Sequence, residues 1–247
     1  MEKVIRTQNS VSVKVLLSKG DSNAKTAKNE LKTFILYMSP FKQNSFGVNL
    51  CPKASKVCPI LCLATSGRMG MINAVSARIR KADFFISDRK GFLTLLLKEL
   101  QTISKSAVKG NYKVAIRLNG TTDLDFFGLM KASLNFDLFT LPNLVFYDYT
   151  KILGKVVKYQ DAIKSGKYVL TFSRSENNWD DCKKALAMGV NVAVVFGNDS
   201  LKPQTFEGYP VLDGDKTDIE MLKVSGFVLA LRAKGKAKKD ISGFVVR

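Results

Sequence analysis

The second half of the chain contains short, almost continuously apolar segments separated by polar or helical connectors. Such segments are typical of strands buried on both faces, and a parallel sheet covered by helices provides that environment. One connector, residues 179–189, has a helical pattern and ends in glycine, which commonly terminates a helix. The pattern predicts an α/β fold with mostly parallel strands at 112–120, 143–150, 167–175, 190–197 and 225–235.

The first half of the chain supplies one further predicted strand and two predicted helices. Residues 32–40 read as the first core strand, which Pro40 ends, and residues 70–107 read as two helices with a cap at Ser87 and Asp88. A length of 247 residues suits one hydrophobic core. We therefore expect a single domain over 31–247, a partial or irregular (β/α) barrel with a three-cysteine loop after its first core strand. Residues 1–30 are expected to be an N-terminal extension with, at most, a small β start.

Three of the four cysteines lie within twelve positions, and the chain contains no histidine. The absence of histidine excludes a Cys-His catalytic pair. Thiolates are soft ligands, and Cys51, Cys58 and Cys62 suit a 4Fe-4S cluster with one iron left open for a small molecule such as S-adenosylmethionine. Zinc is the alternative, and its fourth ligand would be Cys182 or a carboxylate. The plainest alternative is that free thiols pack here as small apolar side chains.

Polar residues follow each predicted strand. In open α/β sheets and (β/α) barrels, ligands bind beyond the carboxyl ends of the strands, so a shared polar cleft is expected there. Any single residue could equally be a turn residue or a surface ion pair. The candidate acids and bases are Asp148, Glu176 and Asp213, and the candidate cofactor-binding residues are Arg117, Asn119, Asp123, Lys151, Ser173, Ser175, Arg232 and Lys234.

The formal net charge of +18 is large for a chain of this length. Such an excess favours a nucleic acid, a nucleotide or another anionic ligand, although scattered lysines also serve solubility alone. The clearest basic cluster lies at 231–240, and a second runs from Arg68 to Lys81. Apolar runs are too short to span a bilayer, so we expect a cytoplasmic protein without a membrane partner.

Several motifs in a fixed order resemble one known family. They are "SFGVNLCPKASKVCPILCLATSGRMGMINAVSARIRKADFF", "RLNGTTDLD", "FYDYTK", "LTFSRSE", "NVAVVF", "VLDGDKTD" and "LRAKGKAKKDISGFV". Together they look like the gene-product-eighty-eight family of bacteriophage and prophage proteins, over about residues 33–247. The resemblance implies a phage context, with the host cell cytoplasm as the location and a host protein as a possible partner. The family's cysteine loop matches Cys51, Cys58 and Cys62.

A more distant resemblance is to radical S-adenosylmethionine enzymes, which have a three-cysteine loop after the first strand of a partial (β/α) barrel. Their usual spacing is C-x3-C-x2-C, whereas this chain has C-x6-C-x3-C. The resemblance implies an iron-sulfur enzyme, and the high positive charge suits an anionic substrate, a nucleotide or a nucleic acid. The alternative is a non-catalytic, basic nucleic-acid-binding phage protein in which a cluster or zinc ion only stabilises the loop.

Overall fold

Ten strands form one mixed sheet in the computed structural model, which describes residues 13–20, 31–197, 202–215 and 224–247. All strands run in the same direction except the edge strands β1 and β7. The strands are β1 Leu17–Lys19, β2 Lys32–Leu36, β3 Val114–Arg117, β4 Leu144–Thr150, β5 Tyr168–Ser173, β6 Asn191–Phe196, β7 Thr205–Phe206, β8 Tyr209–Asp213, β9 Val228–Arg232 and β10 Val245–Val246. The predicted parallel α/β fold is confirmed.

Most helices lie between consecutive strands. The two predicted helices of the first half are confirmed, and Asp88 caps the second by accepting a hydrogen bond from the Gly91 amide. The predicted glycine stop is also confirmed, because Gly189 follows the last helix with a φ of 76°. The helices are α1 Ile72–Ser87, α2 Arg89–Lys109, α3 Phe126–Leu134, α4 Leu153–Lys158, α5 Gln160–Lys164 and α6 Trp179–Ala187.

The strand order is β1-β2-β3-β4-β5-β6-β9-β8-β7, and β10 pairs with the carboxyl end of β6. Strands β2 to β6 therefore lie side by side in chain order. Among the described strands no pairing joins the two edges, so the sheet is open and the expected barrel is not confirmed. Strand β1 falls within the predicted extension 1–30, of which residues 1–12 and 21–30 lie outside the described part.

The two faces of the sheet differ in what covers them. One face carries the main core, in which Phe92 of α2, Phe126 of α3 and Leu186 of α6 pack with strand residues such as Ile116 and Phe172. Burial of this apolar surface provides most of the stabilisation at about 25 cal/mol per Å². We call the opposite face the inner face.

A small cluster on the inner face joins Ala115, Tyr147 and Leu229, from β3, β4 and β9. In the sheet, β5 and β6 separate β4 from β9. Neighbouring strands lie about 4.8 Å apart, so such a cluster requires the sheet to curve towards its inner face.

The last residues of the chain return to the carboxyl ends of the strands. Residues 240–247, which we call the C-terminal strap, end in β10, and Val245 packs with Ala233, Ala237 and Leu61. Arg174 holds the strap by donating to the carbonyl oxygens of Gly243 at 2.9 Å and Phe244 at 3.0 Å. No helix in the described ranges has the length and apolar character needed to cross a membrane.

Candidate functional site

The loop of residues 37–62 places three cysteines beyond the carboxyl end of β2. Its first thiol is fixed by backbone groups: the amide of Phe41 donates to Sγ of Cys51 at 3.4 Å, and that Sγ lies 3.8 Å from the carbonyl oxygen of Thr121. All three thiols are half-buried, and none forms a disulfide. The loop therefore brings reduced sulfur to the edge where the sequence predicts a ligand.

The three thiols are close enough to affect one another. Burial raises the pKa of each, and that of Cys51 reaches about 12. Negative charge on Cys62 or Cys58 raises the pKa of Cys51 further, and charge on Cys58 raises that of Cys62. The loop thus forms one group of mutually interacting thiols, which we call the thiol cluster. As free side chains, these thiols are protonated at neutral pH.

Two cations lie against the thiol cluster. Lys151 donates to the hydroxyl of Ser173 at 2.6 Å and to the carbonyl oxygens of Ser173 and Arg174 at 3.2 and 3.4 Å. Burial lowers the pKa of Lys151, and the Cys58 thiol is the strongest influence in the opposite direction. The other cation is Arg78 of α1.

Arg78 is only 5% exposed and pins the end of the cysteine loop. Its two terminal nitrogens donate to the carbonyl oxygens of Met69 at 2.8 Å and Ala64 at 2.9 Å, and its buried Nε has no hydrogen-bond partner. Burial lowers the pKa of Arg78, and Cys62 opposes that shift. Among the described residues, no carboxylate lies within 4.0 Å of the Arg78 guanidinium or of the Lys151 ammonium.

The predicted residues Asn119 and Asp148 form a buried, hydrogen-bonded pair. Asp148 accepts from the amide of Asn119 at 2.7 Å, from its side-chain nitrogen at 3.1 Å, and from the hydroxyl of Tyr168 at 3.4 Å. Burial raises the pKa of Asp148, while the charges of Lys155 and Arg117 act to lower it. At 1% exposure, Asp148 is placed to hold the β3 and β4 ends together rather than to meet solvent.

Asp123 is also fully engaged by neighbouring residues. It accepts from the hydroxyl of Thr150 and the amide of Lys151, both at 2.8 Å, and pairs with Lys155 at 3.1 Å. Its contact with the Lys151 backbone places the Lys151 side chain near Cys58. Asp123 thus fixes the backbone of Lys151 and the side chain of Lys155.

Residues after β5 attach the cysteine loop to the sheet. Glu176 accepts from the hydroxyl of Ser55 at 2.8 Å and from the amide of Val57 at 3.4 Å. The amide of Ser175 donates to Asn178 at 2.6 Å, and Ser173 contacts Lys151 as described. Of the predicted residues at this strand end, Glu176 therefore contacts the cysteine loop directly, Ser173 contacts Lys151, and Ser175 contacts only its own turn.

A second network joins the predicted residues of β8 and β9. Lys202 lies 2.9 Å from Asp213 and 3.4 Å from Asp215, and Lys234 lies 3.0 Å from the second of these carboxylates. Asp215 also accepts from the amide of Arg232 at 2.5 Å. Lys202 keeps the pKa of Asp213 below its usual range, although desolvation acts in the opposite direction. These carboxylates are occupied by ion pairs.

Arg117 projects from β3 on the inner face, where its guanidinium lies 4.7 Å from the ring centroid of Tyr149. A guanidinium stacked on an aromatic ring keeps its fixed charge and a defined orientation. Ser173 lies on the same face of the sheet. The inner face therefore presents polar groups beside the thiol cluster.

Sequence reasoning did not assign Arg78, Lys155 or Arg174 to the site. A signal existed for Arg78, because it falls three residues after Val75 and four before Ala82, on the apolar side of α1. An arginine at such a position is buried and must find hydrogen-bond acceptors. The roles of Lys155 and Arg174 depend on distant segments, and no local pattern indicates them.

The described residues contain no group of three or more cysteine, histidine, aspartate and glutamate side chains whose present positions could hold a metal ion. Binding of a metal here would therefore depend on the chemistry of the three thiols and of the charged groups around them. Three soft thiols with two adjacent cations fit a thiolate-bound metal group, because the cations would offset negative charge on the sulfurs. Burial raises the pKa of a fourth thiol, that of Cys182, to about 12, and the charges that oppose this shift are those of Lys151 and Arg174.

Comparison with known proteins identifies a family. The family model described as Gene product 88 matches residues 15–247, and the chain belongs to that family. No curated protein and no solved structure matches the chain. The family assignment predicted from the motifs is confirmed, whereas the resemblance to radical S-adenosylmethionine enzymes receives no support from these comparisons.

Proposed function

We propose that this Gene product 88 protein is an iron-sulfur protein whose 4Fe-4S cluster is held by Cys51, Cys58 and Cys62. The observation that carries the proposal is a buried arginine, Arg78, and a half-buried lysine, Lys151, whose charges act on these thiols while no described carboxylate lies within 4.0 Å of either side-chain cation. Burying an uncompensated cation is costly. Metal-bound thiolates would supply the missing negative charge, whereas protonated thiols do not.

The three-cysteine loop and the distant resemblance to radical S-adenosylmethionine enzymes suggest how such a centre would be used. A bound cluster with three protein ligands supplies one-electron chemistry and an open iron, for which S-adenosylmethionine is the candidate ligand. Arg117 and Ser173 of the inner face would orient an anionic substrate such as a nucleotide, and Lys151 would hold its charge near the sulfurs. We place Asp148, Asp123 and Glu176 in the support of this arrangement, because their carboxylate oxygens are already hydrogen-bonded.

Metal analysis tests the proposal directly. After anaerobic purification, we expect about four iron and four sulfide per chain, and an EPR signal of the reduced protein that changes when S-adenosylmethionine is added. Cys51→Ser, Cys58→Ser and Cys62→Ser should each lose iron, while Cys182→Ser, the matched control, should retain it. Iron binding that survives the triple substitution, or zinc alone in place of iron, would overturn the iron-sulfur proposal.

A second candidate function rests on a different observation. The basic turn at Gly235–Lys239 lies against Ser66, since a side chain at Gly235 would meet the hydroxyl of that residue. Ser66 directly precedes the basic segment that begins at Arg68, so two basic segments far apart in sequence approach each other here. As a non-catalytic nucleic-acid-binding protein, the chain would contact phosphates there through the exposed Lys236, Lys238 and Lys239.

Salt dependence separates this candidate from the first. A labelled single-stranded oligonucleotide should bind with log K falling linearly against log salt, with a slope of about −0.7 for each phosphate contact. A variant with glutamate at all three lysines of the turn should bind at least tenfold more weakly than one carrying Lys164→Glu on α5. Equal binding by the two variants would exclude the turn as the nucleic-acid surface.

A further inference from the structure

A groove of about 560 Å³ runs along the outside of the cysteine loop. One wall is the turn containing Asn44 and Ser45, the other is the turn containing Thr65 and Gly70, and the side chains of Val75 and Ile79 of α1 line it between them. It is open to solvent. Arg78 also lines it, whereas none of the three cysteines of the thiol cluster does.

Large apolar side chains are exposed in the two segments that form the walls of this groove. Phe46 and Val48 follow the first wall and are 46% and 40% exposed, while Leu63, Met71 and Ile72 border the second and are 53%, 62% and 77% exposed. Soluble proteins rarely place several such side chains around one concavity unless something covers them. Their spacing on two facing walls suits a ligand that lies in the groove.

The walls are held rigidly in this arrangement. The side chain of Asn44 donates to the carbonyl oxygen of Val48 at 2.7 Å and accepts from the amides of Phe46 and Val48 at 3.2 and 3.1 Å. The opposite wall is pinned from below by the two hydrogen bonds that Arg78 donates to Ala64 and Met69. Preformed walls lower the entropic cost of binding, so the groove is prepared to receive a partner.

Charge identifies the chemistry of that partner. No aspartate or glutamate occurs between Leu31 and Ala82, whereas Lys42, Arg68 and Arg80 are exposed near the groove. The first acid after this stretch, Asp83, is 6% exposed and accepts from the amide and hydroxyl of Ser45 at 2.9 and 2.6 Å. The groove therefore has an apolar centre and a rim of positive charge, and its complement is apolar with negative charge.

We propose that this groove docks an acidic, amphipathic segment of a partner protein. Bordering side chains are aliphatic except for Phe46, whereas surfaces that bind single-stranded nucleic acid use several aromatic rings. A membrane surface would meet a convex apolar face, and this one is concave. An amphipathic helix laid in an apolar groove matches both the shape and the charge. Docking needs no metal, so this proposal is independent of the thiol cluster.

The test uses the purified full chain and an mRNA-displayed random peptide library as the probe. We expect selected peptides to be acidic, with apolar residues at helical spacing, and to bind several-fold more weakly when salt is raised from about 0.05 to 0.3 M. Ile72→Glu should weaken their binding at least tenfold, and Arg68→Glu several-fold. Val157→Glu, an equally drastic change at a 57% exposed position on α4, should leave binding unchanged.

Two control probes distinguish the other occupants. A labelled (dT)20 oligonucleotide and vesicles containing phosphatidylglycerol are measured with the native chain and with Ile72→Glu. The proposal is overturned if no peptide is enriched, if the enriched peptides are basic or uncharged, or if Ile72→Glu binds them as the native chain does. Loss of oligonucleotide or vesicle binding in Ile72→Glu, without peptide enrichment, would assign the groove to that ligand instead.

Discussion

Lys151 carries the charge that acts most strongly on the thiol of Cys58. Burial raises the pKa of Cys58, and the ammonium of Lys151 lowers it, while Glu176 and Asp123 act in the same direction as burial. The ammonium itself is held by Ser173 and by backbone carbonyl oxygens, and within the described ranges it forms no ion pair. The end of β5 thus holds the Lys151 ammonium where its charge lowers the pKa of Cys58.

Replacing this lysine should make Cys58 less reactive. In Lys151→Met the burial effect on Cys58 is no longer opposed, so its pKa rises and its thiolate fraction falls. We expect alkylation of Cys58 by iodoacetamide at pH 8.5 to slow at least threefold in the metal-free protein, measured site by site by mass spectrometry. The control is Lys164→Met, at an exposed position on α5. An unchanged Cys58 rate in Lys151→Met would show that the ammonium does not act on this thiol.

Alkali should destabilise the metal-free protein. The pKa of Cys51 is about 12 in the folded chain against an ordinary value of 9.0, so above pH 9 the unfolded chain loses this proton before the folded chain does. The unfolded state then binds fewer protons, and the free energy of unfolding falls as pH rises, by up to about 1.4 kcal/mol per pH unit for one such group. The effect is absent below pH 8 and ends near pH 12.

Urea unfolding at pH 8 and pH 10, with reductant and chelator present, measures this fall. Cys182 has the same raised pKa, so Cys51→Ser should remove part of the pH dependence and the double variant with Cys182→Ser a larger part, while Cys58 and Cys62, whose pKa burial also raises, contribute to what remains. Equal slopes in the native chain and the double variant would contradict the assignment to these thiols.

Loss of the Glu176 carboxylate should loosen the cysteine loop. Glu176 joins Ser55 and Val57 to the end of β5, and a charge-assisted hydrogen bond of this kind contributes about 1.5–3 kcal/mol. Hydrogen exchange of the Val57 amide should therefore quicken about tenfold or more in Glu176→Ala. It should change less in Glu176→Gln, which keeps one acceptor, and not at all in Glu207→Gln, an exposed position. A Val57 rate that is equal in all three variants would count against the anchoring role.

The parallel sheet could be predicted because its strands are apolar without interruption, and burial on both faces leaves few other solutions. The same argument placed Asn119, Lys151 and Glu176 at one edge, where the structure also has them. What each residue touches could not be predicted. Asp148 is as polar as Asp213 in the sequence, yet only Asp148 is covered by Asn119 and Tyr168.

The other features that could not be predicted depend on contacts between distant segments of the chain. Strand β10 has only two residues, and its pairing with β6 joins positions about fifty residues apart, so no local pattern indicates it. The open edges of the sheet are a similar case. Whether consecutive parallel strands close into a barrel depends on curvature and on the pairing of the edge strands, and neither is encoded in the apolar periodicity.

A buried ion pair should matter more for stability than an exposed one on the same helix. Lys155 pairs with Asp123 at side-chain exposures of 4% and 12%, whereas Lys158 pairs with Asp125 at 53% and 31%. Removing one partner of a buried pair leaves the other charge uncompensated, which costs about 3–5 kcal/mol. We expect a loss of this size in Lys155→Met and about 1 kcal/mol or less in Lys158→Met, measured by urea unfolding. Similar losses in the two variants would mean that the Asp123 carboxylate is rehydrated or protonated at little cost.

Detaching the C-terminal strap should expose the thiol cluster. Phe244 lies over Lys151, with 5.5 Å between Nζ and the ring centroid, and Val245 is 3% exposed against Leu61, next to Cys62. A carboxylate cannot be buried there without a partner, so Val245→Asp should release the strap from β6. Iodoacetamide should then modify Cys58 and Cys62 at least fivefold faster, while Cys182, buried in α6, keeps its rate.

Ile241→Asp, at a 96% exposed position of the same strap, is the matched control and should behave as the native chain does. If Cys182 accelerates together with the others, the substitution has unfolded the domain, and a chain ending at Lys239 must then show the selective increase. Unchanged Cys58 and Cys62 rates in that shorter chain would mean that the strap does not shield them.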